Sequence, residues 1–240
     1  MKRLITMLVV ASVSASAQSF EVASIRPHRD GSDVATIEAP GRLDATLTLK
    51  YMIELAYDLA PNQISGGPDW LDKTAWDITA KAQGFKGEIP LEALRPMLQE
   101  LIRDRFQLRV RAAKQSLPHF ALLIDKQGAK LKPSTETKTE FRLERGPVLT
   151  WTKVSMKQFA SWLAPYVQPD RVVLDETGLH GEYDLQLRWT GSPMAAGQVV
   201  EGTGPTIFTA LREQLGLRLE ARRGPVDTLI VDRAELPSEN

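Results

Sequence analysis

Thr48-Leu49-Lys50-Tyr51-Met52-Ile53 begins an amphipathic helix, with apolar residues at positions 49, 52, 53 and 56. This spacing places them on one helix face. A similar pattern returns 107 residues later, where Ser155-Met156-Lys157-Gln158-Phe159-Ala160 has apolar residues at 156, 159, 160 and 163. Thr48 and Ser155 each carry a hydroxyl that can cap the amides of the first helical turn. Two like helices at this separation predict an internal repeat.

Segments downstream of the two helices also correspond. Trp76-Asp77-Ile78 matches Tyr183-Asp184-Leu185 at the same separation, each being an aromatic residue, an aspartate and an aliphatic residue. Residues 106–110 and 215–219 alternate apolar and polar, which is typical of strands. Each half of the chain is therefore predicted to run strand, helix, strand, helix, strand, strand.

The predicted fold class is α+β, with two tandem βαβαββ-like repeats whose mixed or antiparallel sheets carry helices on one face. Because the last two strands of each half are close in sequence, we expect them to pair antiparallel through a hairpin loop. Phe20–Ile25 adds an early strand. The expected elements are 41–46, 48–59, 74–81, 91–105, 106–112 and 118–125, then 148–153, 155–166, 182–189, 205–215, 216–222 and 225–232.

The chain begins like an exported protein. Lys2 and Arg3 precede an apolar run, which ends at Ala15-Ser16-Ala17, the small-residue pattern of a signal-peptidase site. We expect residues 1–17 to be a signal peptide, residues 18–131 the first repeat with its N-terminal strand, 132–146 a linker and 147–240 the second repeat. The expected location is the periplasm or the extracellular space, and no later segment is long and apolar enough to span a membrane.

Composition excludes several classes of function. The 240 residues include 30 basic and 30 acidic side chains, so no net charge favours a nucleic-acid partner. Hydrophobic residues make up 42% and charged residues 25%, as in globular proteins. The chain has no cysteine, which excludes disulfides, thiol nucleophiles and cysteine-ligated zinc. The motifs of zinc proteases, serine hydrolases and nucleotide-binding loops are also missing, and no cofactor or metal is expected.

The densest group of chemically active residues is His180-Gly181-Glu182-Tyr183-Asp184. An imidazole and two carboxylates within one turn can ligate a metal or act as acid and base. However, glycines at 178 and 181 indicate a turn, and Asp77 occupies the position matching Asp184 with no histidine near it in sequence. A structural aspartate that bonds a turn is therefore the favoured interpretation, and a site of His180, Glu182 and Asp184 is the alternative.

A second candidate is the loop Ser65-Gly66-Gly67-Pro68-Asp69-Trp70-Leu71. Gly66 and Gly67 allow backbone shapes closed to other residues, Pro68 restricts the next dihedral and Trp70 offers a broad contact surface. The loop suits a binding role, although a turn anchored to the core by Trp70 and Leu71 is favoured.

Two further sets of residues bear on binding. Of the five tryptophans, Trp151 and Trp162 are expected to be buried, and Trp189 is the one that can be exposed. The basic residues alternate with apolar ones along predicted strands, which favours a solvated sheet face over a site for anionic envelope polymers. They are Arg103, Arg105, Arg109, Arg111, Lys114, Arg212, Arg218, Arg222 and Arg223.

Several of these segments together resemble an uncharacterised, soil-associated family of secreted proteins that is expanded in acidobacteria. They are the run Phe20 to Pro27, the run Gln63 to Leu71, Asp104-Arg105-Phe106-Gln107-Leu108 and the ending Pro237-Ser238-Glu239-Asn240. In some relatives a similar domain follows a membrane metallopeptidase of the antibiotic-sensor type. The resemblance implies a sensory or binding role outside the cytoplasmic membrane and supplies no catalytic residues.

The sequence thus favours an exported, non-enzymatic binding or interaction module of the cell envelope, whose partner is an envelope protein, a peptide or a glycan. A carboxylate-dependent envelope hydrolase that uses His180, Glu182 and Asp184 is the alternative. A purely structural envelope protein is a third hypothesis.

Overall fold

The computed structural model describes residues 19–29, 36–39, 41–87, 89–144, 148–168, 171–190 and 204–237, with the backbone alone at 36–39. The predicted signal peptide and most of residues 191–204 lie outside these ranges. The strands are β1 (Phe20–Pro27), β2 (Thr36–Ala39), β3 (Arg42–Thr48), β4 (Ile64–Gly66), β5 (Ala75–Ala82), β6 (Arg109–Ile124), β7 (Lys132–Pro133), β8 (Glu140–Glu144), β9 (Val148–Ser155), β10 (Val172–Asp175), β11 (Glu182–Arg188) and β12 (Leu217–Arg233). The helices are α1 (Leu49–Tyr57), α2 (Leu91–Arg105), α3 (Met156–Val167) and α4 (Ile207–Ala210), which continues as a π-helical turn over Leu211–Leu215.

The chain contacts divide the protein into two compact units. Of the described residues, those within 19–58, 67–109 and 233–237 belong to the first unit, and those within 59–66 and 110–232 belong to the second. Each unit combines helices with sheet, so the α+β class is confirmed. No long apolar helix of the kind that crosses a bilayer occurs in the described ranges.

The first unit is a four-stranded antiparallel sheet in the order β1-β5-β3-β2, with α1 and α2. Alternate residues of β5, from Trp76 to Ala82, are buried. The predicted helix face is confirmed, because Leu49, Met52, Ile53 and Ala56 of α1 are buried. The hydroxyl of Thr48 accepts a hydrogen bond from the amide of Tyr51 at 3.2 Å, which confirms the predicted N-cap.

The second unit contains two sheets, in the orders β10-β6-β12-β4 and β7-β11-β9-β8. Its core is formed mainly by α3, α4 and the inner faces of β9 and β11, with Phe159 and Trp189 fully buried. Ser155 caps α3 as predicted, and the Gln158 side chain accepts a hydrogen bond from the Ser155 amide in return. This reciprocal bonding satisfies two amides at the start of the helix.

The predicted hairpins at the end of each half are wrong. Residues 109–124 form the single strand β6, and residues 217–233 form the single strand β12. Pro118 and Pro225 lie inside these strands, where each removes only one backbone donor and so does not end the pairing on both sides. Arg111 pairs with Asp232 and Lys114 with Asp227, so the two long strands run antiparallel to one another.

The two outer strands of this sheet come from matching places in the chain. β4 follows α1 and pairs parallel with β12, whereas β10 follows α3 and pairs parallel with β6. The order of elements therefore agrees between the two halves, while a gene duplication stays a prediction. The predicted linker at 132–146 contains the strands β7 and β8, which the sequence analysis missed.

Candidate functional site

Asp184 lies at an irregularity in the pairing of β11 with β9. The register shifts between Tyr183, opposite Val154, and Leu185, opposite Trp151. Lys153, in the extra stretch of β9, has a φ of 55°. Its amide donates a hydrogen bond of 3.1 Å to the Asp184 carboxylate. Because this backbone conformation is unfavourable for lysine, Asp184 holds a local bulge in place.

The electrostatics of Asp184 do not suit an acid catalyst. The Ser134 hydroxyl, the Lys153 amide and the charge of Lys132 lower the pKa of Asp184 below its usual value, and the largest contribution is from Ser134. A carboxyl group that must donate a proton near neutral pH needs a raised pKa instead. Asp184 is therefore a stable anion with bonds to the surrounding backbone and side chains.

The other two members of the predicted group lie at the surface. Glu182 is 3.9 Å from the Lys153 ammonium group, and the His180 carbonyl accepts a hydrogen bond from the Tyr183 hydroxyl at 3.0 Å. Across the ranges that the structure describes, no three histidine, aspartate or glutamate side chains converge as a metal site would require.

Within the candidate loop Ser65–Leu71, Gly66 is the last residue of a segment of the second unit, and the first unit resumes at Gly67. Gly66 belongs to β4 and has a φ of 77°, and a Cβ atom at this position would lie 2.7 Å from the Val231 carbonyl oxygen. Glycine is needed at position 66 because the neighbouring strand passes too close for a side chain. Gly67 has a φ of 78° and is exposed.

Trp70 packs inside the first unit. Its ring lies 6.3 Å from the rings of both Trp76 and Phe106, and the last two are themselves 5.2 Å apart. We call Trp70, Trp76 and Phe106 the first aromatic cluster. The turn that begins at Pro68 ends at Leu71, whose carbonyl accepts a hydrogen bond from the amide of Lys50 near the start of α1. These are the contacts of a residue that anchors a turn.

A histidine meets Asp77 in space although none is near it in sequence. The Asp77 carboxylate lies 2.8 Å from Nδ1 of His28 and accepts a 2.8 Å hydrogen bond from the Thr46 hydroxyl. Asp77 thus gains a histidine neighbour only in the folded chain, because β1, β3 and β5 bring together residues up to 49 positions apart. In a nucleophile–histidine–acid triad the hydroxyl faces the imidazole, whereas the hydroxyl and imidazole around Asp77 both bond to the carboxylate.

Two ionisable residues of α1, Glu54 and Tyr57, are partly buried. Burial raises the pKa of Glu54 to about 6, although the charge of Lys50 partly opposes the shift. Burial also raises the pKa of Tyr57, and Arg103 opposes that shift. Glu54 therefore holds a proton at a pH at which an exposed glutamate has lost it.

The tryptophans of the second unit differ from the prediction. Trp189 is fully buried rather than exposed, because it continues the inward positions 185 and 187 of β11. Trp151 and Trp162 are only half-buried. Alternation along β11 could have identified the burial of Trp189 from the sequence.

A second aromatic cluster consists of Phe141, Trp151, Trp162 and Tyr166. The ring of Phe141 lies 5.0 Å from that of Trp151 and 6.1 Å from that of Trp162. Trp162 in turn lies 4.4 Å from Tyr166 and 5.9 Å from the buried Trp189. Phe141 is 46% exposed, so this cluster reaches from the core to the surface.

The indole nitrogens beneath this surface lack acceptors. Within the described part of the chain, the N–H groups of Trp151 and Trp189 are buried and make no hydrogen bond. A buried donor without an acceptor is unfavourable by about 1–3 kcal/mol. The N–H group of Trp76 in the first aromatic cluster is likewise buried without an acceptor among the described residues, so this cost is common to both clusters.

The strand β8 forms the edge of the sheet beside this cluster. Phe141 lies opposite Trp151 and Leu143 opposite Leu149, so both apolar side chains lie on the face that carries Trp151. Leu143 is 41% exposed. Among the described strands, β8 pairs only with β9. An extended edge with exposed apolar residues is a template for another strand.

The outward backbone groups of β8 follow from its pairing. The amide and carbonyl of Glu140 both meet the Thr152 hydroxyl on β9. Since successive residues of a strand direct these groups to opposite sides, the N–H and C=O groups of Phe141 and Leu143 face away from β9. Sequence reasoning missed this surface, because Glu140-Phe141-Arg142-Leu143-Glu144 lies in the stretch predicted as a linker.

Many of the basic residues are paired with acids. Arg111 lies 3.1 Å from Asp232, and Arg218 lies 2.6 Å from Glu220. Arg222 contacts both Glu220 and Glu176. These pairs favour the interpretation of a solvated sheet face with balanced charge.

Comparison with known proteins gives a family without a known function. Neither the curated proteins nor the solved structures include a significant match to the chain. A family model does match residues 50–234, which is most of the chain and includes both aromatic clusters. The chain therefore belongs to the family described as "Protein of unknown function (DUF3738)".

Proposed function

We propose that this protein is an exported, non-enzymatic interaction module of the cell envelope that takes an extended polypeptide segment as an added strand on β8. The observation that carries the proposal is the outer edge of β8, where outward backbone groups and the exposed Phe141 and Leu143 occur together. The signal-like residues 1–17 and the resemblance to secreted proteins support export.

An added strand would use both features of this edge. Its backbone would bond to the N–H and C=O groups of Phe141 and Leu143, and its alternate side chains would lie beside these two residues. The half-buried rings of Trp151 and Trp162 extend the apolar surface behind them. Backbone pairing supplies affinity, and the aromatic surface selects apolar side chains.

A non-enzymatic role is favoured by what the predicted catalytic residues do. Asp184 bonds a bulge, and its pKa is lowered rather than raised. The His28 imidazole and the Thr46 hydroxyl both bond to the Asp77 carboxylate, so the imidazole is not placed to take a proton from the hydroxyl. These contacts support a structural role for the groups that a carboxylate-dependent hydrolase would need.

The test is to pan a phage library of short random peptides against the mature chain. Leu143→Pro is the informative variant. Proline has no amide N–H, and since the N–H of Leu143 faces away from β9, the substitution removes a donor for an added strand and leaves the pairing with β9 in place. Leu143→Ala is the matched control, since it keeps the amide. We expect the selected peptides to alternate apolar residues and to bind Leu143→Pro about tenfold more weakly than Leu143→Ala.

Two results would contradict this function. One is a selection without enriched peptides, or with peptides that bind Leu143→Pro and Leu143→Ala equally. The other comes from a glycan array: binding of sugars that survives Leu143→Pro but is lost in Trp151→Ala would identify the second aromatic cluster as a sugar-stacking surface instead.

A further inference from the structure

We infer that the strand added to β8 is β8 of a second copy of this chain, which makes the protein a symmetric dimer through sheet extension. This inference rests on the proposed function, because it names the partner of the same edge. It is carried by the order of charges along Glu140-Phe141-Arg142-Leu143-Glu144 together with the outward edge.

The charges of β8 are complementary to themselves in two antiparallel registers, one about Phe141 and one about Leu143, in which Arg142 of each copy lies opposite Glu144 of the other. When two copies pair about Phe141, Glu140 of each copy lies opposite Arg142 of the other. Phe141 then lies opposite the same residue of the second copy, at the two-fold axis. Opposite charges and aromatic residues that face one another across strands both stabilise a sheet.

The same register uses the available backbone groups. The N–H and C=O of Phe141 face away from β9, so the two copies can exchange both hydrogen bonds at the axis. A register about Arg142 would instead place arginine opposite arginine and Glu140 opposite Glu144. Like charges in direct opposition are unfavourable, which excludes the register about Arg142. The facing aromatic rings then favour the register about Phe141 over the register about Leu143.

Symmetry joins the two second aromatic clusters. Phe141, 5.0 Å from Trp151 in each copy, would connect the clusters into one apolar surface across the axis. A five-residue edge buries less than the roughly 1,200 Å² of a standard interface. We therefore expect a weak dimer, with a dissociation constant on the order of 100 μM.

The experiment is sedimentation of the mature chain over a range of concentrations, with two charge variants. Glu140→Arg gives a chain with arginine at positions 140 and 142, and Arg142→Glu gives a chain with glutamate at these two positions. Each variant alone brings like charges together, and we expect dimerisation about tenfold weaker than wild type. An equimolar mixture of the two variants restores opposite charges at both pairs, so dimerisation returns close to the wild-type level.

The outcomes separate this inference from the proposed function. A chain that stays monomeric up to about 1 mM, or a dimer that Glu140→Arg leaves unaffected, would overturn the inference. In the second case, a dimer weakened by Arg142→Glu alone would indicate pairing about Leu143. If library peptides still bind in a Leu143→Pro-sensitive way, the added-strand function stands with a different partner. A dimer that both variants weaken and the mixture restores supports the inference even where the library yields no peptide.

Discussion

The two aromatic clusters differ in burial: the first stabilises the core of its unit, whereas the second is partly exposed and forms a surface. In the first unit, Trp76 and Phe106 are almost completely buried, at 3% and 0% exposure. In the second unit, Phe141 is 46% exposed and stands at a sheet edge. The ring separations are similar, 5.2 Å for Trp76 and Phe106 and 5.0 Å for Phe141 and Trp151, but the first pair packs in a core and the second lies at the surface.

The largest effect is expected from truncation of one ring in each cluster. Phe106→Ala leaves a cavity in the first unit, and we expect the free energy of unfolding to fall by about 3–5 kcal/mol. Phe141→Ala removes a half-exposed ring and should lower it by less than about 1 kcal/mol. Urea unfolding followed by far-UV circular dichroism gives both values. Equal losses would show that the second cluster is as structural as the first.

The parts of the fold that follow from short-range patterns were predictable. The helices α1 and α3 agree with the sequence because both the apolar spacing and the capping residues Thr48 and Ser155 act within a few positions. The bond between Asp77 and His28 gave no such signal, since it depends on which strands pair.

The candidate surface on β8 was not predictable for a related reason. A strand with three charged residues in five looks like a loop until its neighbour is known. Its pairing with β9 brings Phe141 beside Trp151, and only then does the exposed edge become visible. Likewise, β6 and β12 continue through Pro118 and Pro225 because neighbouring strands pair with them. Rules that predict turns from adjacent residues do not include pairing with distant strands.

A smaller effect comes from the two helices that the predicted repeat aligns. α1 carries Glu54 where α3 carries the exposed Ser161, 107 residues later. The pKa of Glu54 is raised from 4.5 to about 6, so the folded chain keeps a proton that the unfolded chain has lost between these values. Stability therefore falls as the pH rises through this window, and the loss persists above it.

Glu54→Gln should remove this loss. We expect the free energy of unfolding at pH 7.5 to rise by about 1 kcal/mol, after allowance for solvent screening of a partly exposed side chain. Near pH 4, where the wild-type carboxyl is largely protonated in both states, the two proteins should differ little. Ser161→Glu is the matched control, because an exposed carboxyl in α3 should give no difference of this kind. A benefit that does not change with pH would refute titration of the Glu54 carboxyl as the cause.

The smallest effect contrasts the two aspartates at matching positions. Asp184 holds the bulge at Lys153, whose φ is 55°, whereas Asp77 bonds to two side chains on a solvated sheet face. Asp184→Ala should therefore lower the urea midpoint more than Asp77→Ala. Lys153→Gly, added to Asp184→Ala, should recover part of the loss, because glycine adopts a positive φ without strain. If Lys153→Gly does not raise the urea midpoint of Asp184→Ala, strain at the bulge is not the reason for the loss of stability.

The pH dependence of Asp184 should run opposite to that of Glu54. Its pKa is lowered in the folded chain by Ser134, the Lys153 amide and Lys132, so its contribution is complete above the pKa of an unfolded aspartate. That contribution is lost as the pH falls through the folded pKa. At neutral pH the urea midpoint of Asp184→Asn should therefore lie below that of wild type, and that of Glu54→Gln should lie above it. Both differences should become smaller as the pH falls. Midpoints measured from pH 7.5 down to pH 3 test both, and a gap for Asp184→Asn that stays constant over this range would show that the charge of Asp184 does not stabilise the bulge.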